Sequence, residues 1–534
     1  MLGQCITNTN RGRQVQVSQT GSPHRTRRLR PAAIVSAIAA AITPSAWAGN
    51  NIDLGNDTSL NYSVTATYGA AVRTGGQSGA LLSPSNINGD DGDRNFKRGD
   101  MIANRATVLG EANLQRGDFG AFLRGSVFYD RAYRTSNSNN APATVNHSGP
   151  FNEFTDSARY YNGQRAQLLD AYAYGAFNLD TTRLNVKLGN QVVAWGESLF
   201  FPNIAGAQGP ADATKSFVPG AEVKDILLPV PQASLQWEVN PAFSLLGYYQ
   251  FTYKSNQLNP PGAYFSTTDV VGPGAEFIIG PGGRHIPRGS DINPPNSGQW
   301  GLGTRFRAFD AEFGLYQLRY HDKNPNVVTT LFPTLQYQQK FFSGINLTGA
   351  SFSTQFLGAN VAGEVSYKDG VPILVNVNGA ATATPGKAVQ GQMSAIYSIG
   401  PTFLASSQSL VGEIAYLHVL SVTPVNGFST LTNTRNSAAL QLGWSLSYLN
   451  IFNGWDMTVP LTYAHEFSGK SAVAGGFGSL TGYGDRRASV GVTFKYLNNL
   501  ELNLTYAMFL GTANIVNRPL ADRSYAAFNA KYSF

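Results

Sequence analysis

The feature that most constrains this chain is an apolar–polar alternation that recurs along it in runs of about ten residues. The stretch "SLNYSVTATYGAAVR" puts Leu60, Tyr62, Val64, Ala66, Tyr68, Ala70 and Val72 on one parity, and Asn61, Ser63, Thr65, Thr67 and Arg73 on the other. "LQLGWSLSY" (440–448), "WDMTVPLTY" (455–463) and "LELNLTYAM" (500–508) repeat the pattern, and the final "AAFNAKYSF" carries it to Phe534. A period of two is a β-strand with one apolar and one polar face. Runs of roughly ten residues with aromatics at their ends are what a tilted membrane-crossing strand requires. Charged residues are only 13%, about half the ~25% usual in globular proteins. Beyond the first fifty residues no apolar run approaches the ~18 needed by a transmembrane helix, so only strands remain to cross a bilayer.

Spacing between the runs sharpens this. Eighteen strands can be read between 58–73 and 524–534, and short turns such as "QRG", "NLDT", "NPA" and "LNIFNG" alternate with long polar segments such as 74–100, 131–165, 194–230, 255–298 and 466–486. Strands are expected at 359–368 and 389–400 with a loop between them; 346–356 is the weakest segment, so sixteen strands is the fallback. Short turns on the periplasmic side and long loops outside are the pattern of a transmembrane antiparallel β-barrel. Closure is required because each unpaired amide at an open sheet edge in lipid costs several kcal/mol.

The N-terminus reads as a leader. "RTRRLR" (25–30) precedes the apolar "PAAIVSAIAAAITPSAWA", whose Ala46-Trp47-Ala48 fits a signal-peptidase site after Ala48. Residues 1–48 hold six Arg and no acid, so the mature charge is +7 − 6 = +1, and the basic pI carries no implication of nucleic acid. The one cysteine, Cys5, leaves with the leader. A cysteine-free exported chain suits the outer membrane of a Gram-negative bacterium.

From Val186 the sequence becomes specific. "VKLGNQVVAWGESLF" followed by "PGAEVKDILLPVP", together with "NINGDDGDRNFKRGD", "FGAFLRGSVFYDRAY", "EFGLYQLRYHDKNP" and "GEVSYKDGVPI", resembles the domain-of-unknown-function 1302 (DUF1302) family of proteobacterial outer-membrane proteins over the whole mature chain. The resemblance implies partnership with envelope transport systems of the resistance-nodulation-division type that move lipids or hydrophobic compounds.

Inward parity nominates a mixed-sign lumen: Arg124, Lys187, Arg305, Arg307, Lys495 and Lys531 against Glu364, Glu413, Asp456 and Glu501. Such residues either set a selective field or pair across the lumen to brace the barrel. A barrel this wide leaves an aqueous channel unless something narrows it. The loop 194–230 is the candidate for an inward-folded constriction, through Trp195, Gly196, Glu197, Pro219, Gly220, Glu222 and Lys224. Phe528, Tyr532 and Phe534 read as an assembly signal for the barrel-insertion machinery. Asn86, Asn88, Asp90, Asp91 and Asp93 are hard oxygen donors, but Gly92 falls one place late for an EF-hand and no Glu closes the segment. It therefore reads as a solvated loop or a turn leading into a strand. Neither a zinc-type histidine spacing nor a nucleophile elbow or phosphate loop is present, so no metal, cofactor or catalysis is expected.

The expected function is passage of small hydrophobic or aromatic solutes across the outer membrane, with lipid around the barrel. Two rivals stand beside it: a non-conducting partner of an envelope transport complex, and a lipid-modifying barrel enzyme.

Overall fold

The computed structural model describes residues 51–331 and 334–534; the expected leader lies outside them. Eighteen strands form one antiparallel ring. The first six are β1 (Thr58–Arg73), β2 (Met101–Arg116), β3 (Phe119–Asp130), β4 (Gln164–Leu179), β5 (Thr182–Gln191) and β6 (Val230–Asn240). Next come β7 (Phe243–Gln250), β8 (Gln299–Ala308), β9 (Ala311–Tyr320), β10 (Ile345–Phe356), β11 (Ala359–Val377) and β12 (Ala380–Ile399). The ring ends with β13 (Ser407–Val422), β14 (Asn436–Phe452), β15 (Trp455–Ser468), β16 (Arg486–Tyr496), β17 (Leu500–Leu510) and β18 (Tyr525–Ser533). Each strand pairs with its sequence neighbours, and β18 returns to β1 in the register Thr65↔Ser533 to Arg73↔Tyr525. A short strand, Asn51–Gly55, pairs with Thr58–Asn61 and so continues the β18 edge of β1. The count is eighteen, not the fallback, because Ile345–Phe356 pairs fully with both neighbours.

The two parities separate cleanly. Leu123, Leu188, Leu302, Leu315, Met393, Ile414, Leu442 and Leu504 are each between 50% and 60% exposed and all point outward. Together with exposed aromatics such as Tyr68, Trp237, Tyr397 and Tyr532 they form an apolar belt around the ring, the surface a hydrocarbon solvent demands. The opposite parity carries Thr67, Glu111, Glu364, Gln392, Glu413, Thr462, Asn503 and Asn529, and faces the lumen.

Connections alternate short and long, with one exception. The segment expected as a loop between 368 and 389 is instead a continuation of β11 and β12, paired from Val371↔Gly386 to Val377↔Ala380. The turn is Asn378-Gly379, with φ of +51° and +86°. Two consecutive positive φ values make a hairpin turn whose twist suits the flanking strands, and Asn-Gly is its strongest sequence signal. The extended hairpin is not solvated: Ile373 and Val375 are fully buried and bridge to Val473 and Leu431 of other loops.

A second expectation also needs correcting. Asp90, Asp91 and Asp93 do not sit in a solvated loop; they are 0–1% exposed within a cap built over β1–β3 and β17–β18. Phe96 packs edge-on against Tyr133 and Tyr264, and Phe154 packs tilted against Phe96 and Tyr133, with centroids 5.0–5.7 Å apart, so that an aromatic cluster lies over the acidic segment.

Candidate functional site

The β5–β6 connection runs through the lumen rather than outward. Its first half docks on β11–β13, on the face opposite the apolar belt. Glu364 of β11 accepts the N–H groups of Glu197 (Oε2, 2.7 Å) and Ile204 (Oε1, 3.1 Å). Glu413 of β13 accepts those of Leu199 (Oε1, 3.1 Å), Phe200 (Oε2, 2.6 Å) and Phe201 (Oε2, 2.9 Å). A loop without regular structure must find partners for its backbone donors once water is excluded, and here two carboxylates supply them for five N–H groups. The carbonyls are matched in turn: Gln392 Nε2 donates to Phe201 O (3.0 Å) and Gln390 Nε2 to Pro202 O (3.0 Å). Ser366 Oγ donates to Asn203 Oδ1.

Apolar packing fixes the same segment. Ile204 is fully buried and Phe201 2% exposed. Trp195 packs edge-on against Tyr248 of β7, with centroids 5.0 Å apart, and lies parallel to Tyr316 of β9. Gln208 braces the start of the loop, accepting from Trp195 N–H (3.1 Å) and donating back to its carbonyl (3.2 Å). Gly196 has φ +100°, and a side chain there would strike the Glu364 carboxylate, so its lack of a Cβ is what lets the backbone approach.

The middle of the connection is stapled by Arg165 of β4, whose Nη2 meets Asp212 Oδ2 at 2.5 Å with side chains 3% and 0% exposed. The second half then reaches the opposite wall. Lys531 Nζ of β18 meets Glu222 Oε1 at 2.5 Å, and Lys224 Nζ meets Glu111 Oε2 of β2 at 3.3 Å. Gly220, with φ +80°, lies against Thr67 of β1 and Asn529 of β18, and Pro219 lies against Gly69. β2 and β11 are nine places apart in a ring of eighteen, so the connection spans the full width of the lumen. Between it and β1–β3 a crevice remains, lined on one side by Leu109 and Phe128 and on the other by Val218, Pro219 and Glu222.

All ten charged candidates fall on the inward parity, but they are not one site. Glu364 and Glu413 are engaged by the loop backbone, and Lys531 holds Glu222. Arg124 pairs with Asp170 at 2.6 Å, both under a tenth exposed, and Lys187 lies 5.3 Å above the Tyr172 ring. Arg305 and Arg307 face Glu312 at 4.0 and 3.5 Å beside a short turn. Asp456, Lys495, Glu501 and Lys531 stand opposite one another in register on β15–β18, a row of alternating sign near the short-turn rim. Phe528 and Tyr532 point outward; Phe534 N–H donates to Val64 O (2.9 Å), and the Phe534 ring packs edge-on against Tyr532 with centroids 4.8 Å apart. Gln390, Gln392, Ser366, Gln208 and Asp212 were not anticipated. The alternating "QGQ" at 390–392 marks two inward amides, but nothing in an amide's identity says that a loop backbone will sit on it.

A family model described as protein of unknown function (DUF1302) matches residues 29–534. The chain belongs to the DUF1302 family. No curated protein matches the sequence. The DUF1302 barrel is similar to Acinetobacter baumannii OccAB2, at 11% identity and TM-score 0.42 over 91% of this chain and 99% of that one. It is similar also to Salmonella typhi OmpF in complex with daunomycin (10%, 0.40, 91% and 100%). Pseudomonas aeruginosa OpdK with vanillate gives 8%, 0.40, 89% and 98%. These are likenesses of fold only.

Proposed function

We propose that this DUF1302 protein is exported by its leader to the outer membrane of a Gram-negative bacterium and acts there as a channel for small hydrophobic or aromatic solutes. The observation that carries the reading is the β5–β6 connection crossing the lumen, pinned by Glu364 and Glu413 on one wall and by Lys531 and Glu111 on the other. An apolar belt outside and a polar wall inside make a membrane pore; a transverse segment makes it a narrow one. The crevice beside that segment supports the substrate class. Val218 and Pro219 offer apolar surface to a ring, while Lys531, Glu222 and Lys224 offer polar partners at its edge. Selection is then by size and polarity, without covalent chemistry. Purified protein in liposomes should swell with small aromatic solutes and exclude sugars of equal mass. Removing residues 203–218 should abolish that discrimination, and identical permeation by both forms would overturn the reading.

One observation favours the rival in which the barrel docks an envelope transport complex. Phe309, Leu357 and Phe403 are 95%, 85% and 96% exposed on three successive short turns of one rim. If that rim is the docking face of a non-conducting barrel, Ser at all three positions abolishes recovery of an inner-membrane transporter with the barrel, and the parent protein itself leaves liposomes impermeable to the solutes.

A further inference from the structure

The cap over β1–β3 contains a buried charge imbalance. Arg73 Nη1 meets Asp93 Oδ1 at 2.6 Å and its Nη2 meets Asp522 Oδ2 at 3.2 Å; Arg523 Nε lies 3.3 Å from both Asp93 Oδ1 and Asp522 Oδ1. Arg94 Nε meets Asp90 Oδ2 at 2.6 Å. Three arginines thus answer three carboxylates. Asp91 and Asp269, 1% and 0% exposed, are left over, with no basic side chain within 4 Å among the described residues. Their hydrogen bonds are sparse: Asp91 Oδ2 accepts Asn146 N–H (3.3 Å), and Asp269 Oδ2 accepts Asp91 N–H (3.1 Å). Two uncompensated carboxylates in an apolar surround are strongly unfavourable.

The geometry points to what compensates them. One oxygen from each of Asp90, Asp91 and Asp269 lies within 4.8 Å of the other two, no wider than two Ca–O bonds of about 2.3–2.6 Å placed end to end. Asp90 Oδ1, Asp91 Oδ1 and Asp269 Oδ1 are buried with no hydrogen-bond partner among the described residues, and so is the carbonyl oxygen Oδ1 of Asn146. Asn146 is fully buried. Its backbone touches Asp91, and its amide nitrogen is already committed to Asn88 Oδ1 (2.6 Å) and Phe277 O (3.0 Å), which leaves only the acceptor free. Three clustered carboxylates with a residual charge of two negatives, beside a residue whose backbone meets Asp91 and whose carbonyl oxygen is unpartnered among the described residues, supply the donors a divalent cation needs.

We propose that Asp90, Asp91, Asp269 and Asn146 bind one calcium-class cation, which ties the loops 74–100, 131–163 and 251–298 into a single cap. The rival is that protons do the compensating, since burial pushes the Asp269 carboxyl up to about 7 and Asp91 well above its ordinary range. The two are separable by uptake. Full-length protein in detergent, freed of metal by EGTA and dialysed against radioactive calcium near neutral pH, should take up one ion per barrel with a Kd of about 10⁻⁴–10⁻³ M or tighter. Magnesium in parallel tests the preference for the larger ion. Calcium should also protect the three loops from proteolysis. D91N/D269N removes the two uncompensated charges with little change of shape; it should lose uptake by at least about tenfold and resist protease in EGTA as the parent does in calcium. N146A, which alters no charge, should weaken uptake and keeps the test available if the double variant does not fold. No uptake by the parent at millimolar calcium, or unchanged uptake by D91N/D269N or N146A, overturns the proposal.

Discussion

Substitution at Glu413 tests whether the transverse segment is the constriction. Its two oxygens accept three backbone N–H groups of residues 199–201 and one from Gln392 Nε2 at 3.1 Å, and the residue is 3% exposed. Of the three donors, Phe201 N–H is deeply buried and Leu199 is 42% exposed, so truncation to Ala strands one or two donors fully rather than three. At about 1–3 kcal/mol per stranded group, E413A should cost the docked state roughly 2–4 kcal/mol, a shift of about 30- to 700-fold in the docked-to-undocked ratio. Glu364 and the buried Ile204 still hold the segment, so E413A should open it transiently; E364A/E413A, which removes acceptors for all five N–H groups, should open it persistently.

Single-channel recording in planar bilayers reads this directly. Conductance and open-channel noise should rise in the order parent, E413Q, E413A, E364A/E413A. The Gln variant matters because E413Q and E413A delete the same charge. A difference between them reports hydrogen bonding, since Gln keeps one acceptor oxygen, whereas a purely electrostatic effect would make them equal. E501Q, an inward carboxylate near the rim, is the control and should change selectivity slightly and noise not at all. If E364A/E413A inserts normally, as judged by heat-modifiable mobility, yet conducts like the parent, the segment does not limit the pore.

Three further outcomes follow from other contacts. Glu222 is 46% exposed in its ion pair with Lys531, so K531M should cost no more than about 1 kcal/mol while moving the reversal potential in a salt gradient toward cations; an unmoved potential would show that Lys531 is off the permeation path. Removing Phe534 deletes the Val64 contact and the terminal aromatic, and should lower the amount of barrel assembled at the cell surface without altering the conductance of those that insert; normal surface assembly would refute the signal. Burial pushes Asp322, in the β9–β10 loop, up to about 6, so the folded state holds its proton more tightly than the unfolded one. Its stabilising share is complete below about pH 4 and is lost as pH rises to 6, worth up to about 3 kcal/mol; the unfolding midpoint in detergent should fall more steeply across that window in the parent than in D322N.

What the sequence disclosed follows from how directly each feature is enforced by solvent. Outward positions touch lipid whatever the loops do, so alternation at Leu60–Val72 or Leu500–Met508 is imposed residue by residue and could be read locally. The short turns were legible for the same reason. The β11–β12 extension was missed although Asn378-Gly379 announced it, because residues 371–377 and 380–388 alternate less cleanly: their inner face packs on loops rather than facing water. The acidic segment misled for a related reason. Hydrophilic composition signals solvent only when nothing covers it, and the cover comes from Tyr264 and Phe154, over 50 residues away in sequence.

The transverse segment shows the limit most clearly. Trp195, Gly196, Glu197, Gly220 and Glu222 could be singled out as unusual in a loop, and Glu364 and Glu413 as inward charges, but the joining of the two sets depends on register across nine strands. It also inverts the expected roles. A carboxylate in a pore wall suggests a field acting on solutes; here both carboxylates are consumed by backbone N–H groups, Lys531 and Glu111 hold Glu222 and Lys224 of the same connection, and the charges left to the open lumen include the row Asp456–Lys495–Glu501. Holding a loop by acceptors rather than by apolar contact alone has a physical consequence. Hydrogen bonds to five specific N–H groups fix the height and register of residues 197–204 along β11 and β13, where apolar packing would tolerate sliding by one residue. A pore that selects by size needs that fixed height. Sliding would vary the crevice against β1–β3, whose far edge is set by the Glu222–Lys531 and Lys224–Glu111 contacts, so selectivity and the Glu364–Glu413 clamp should be lost together.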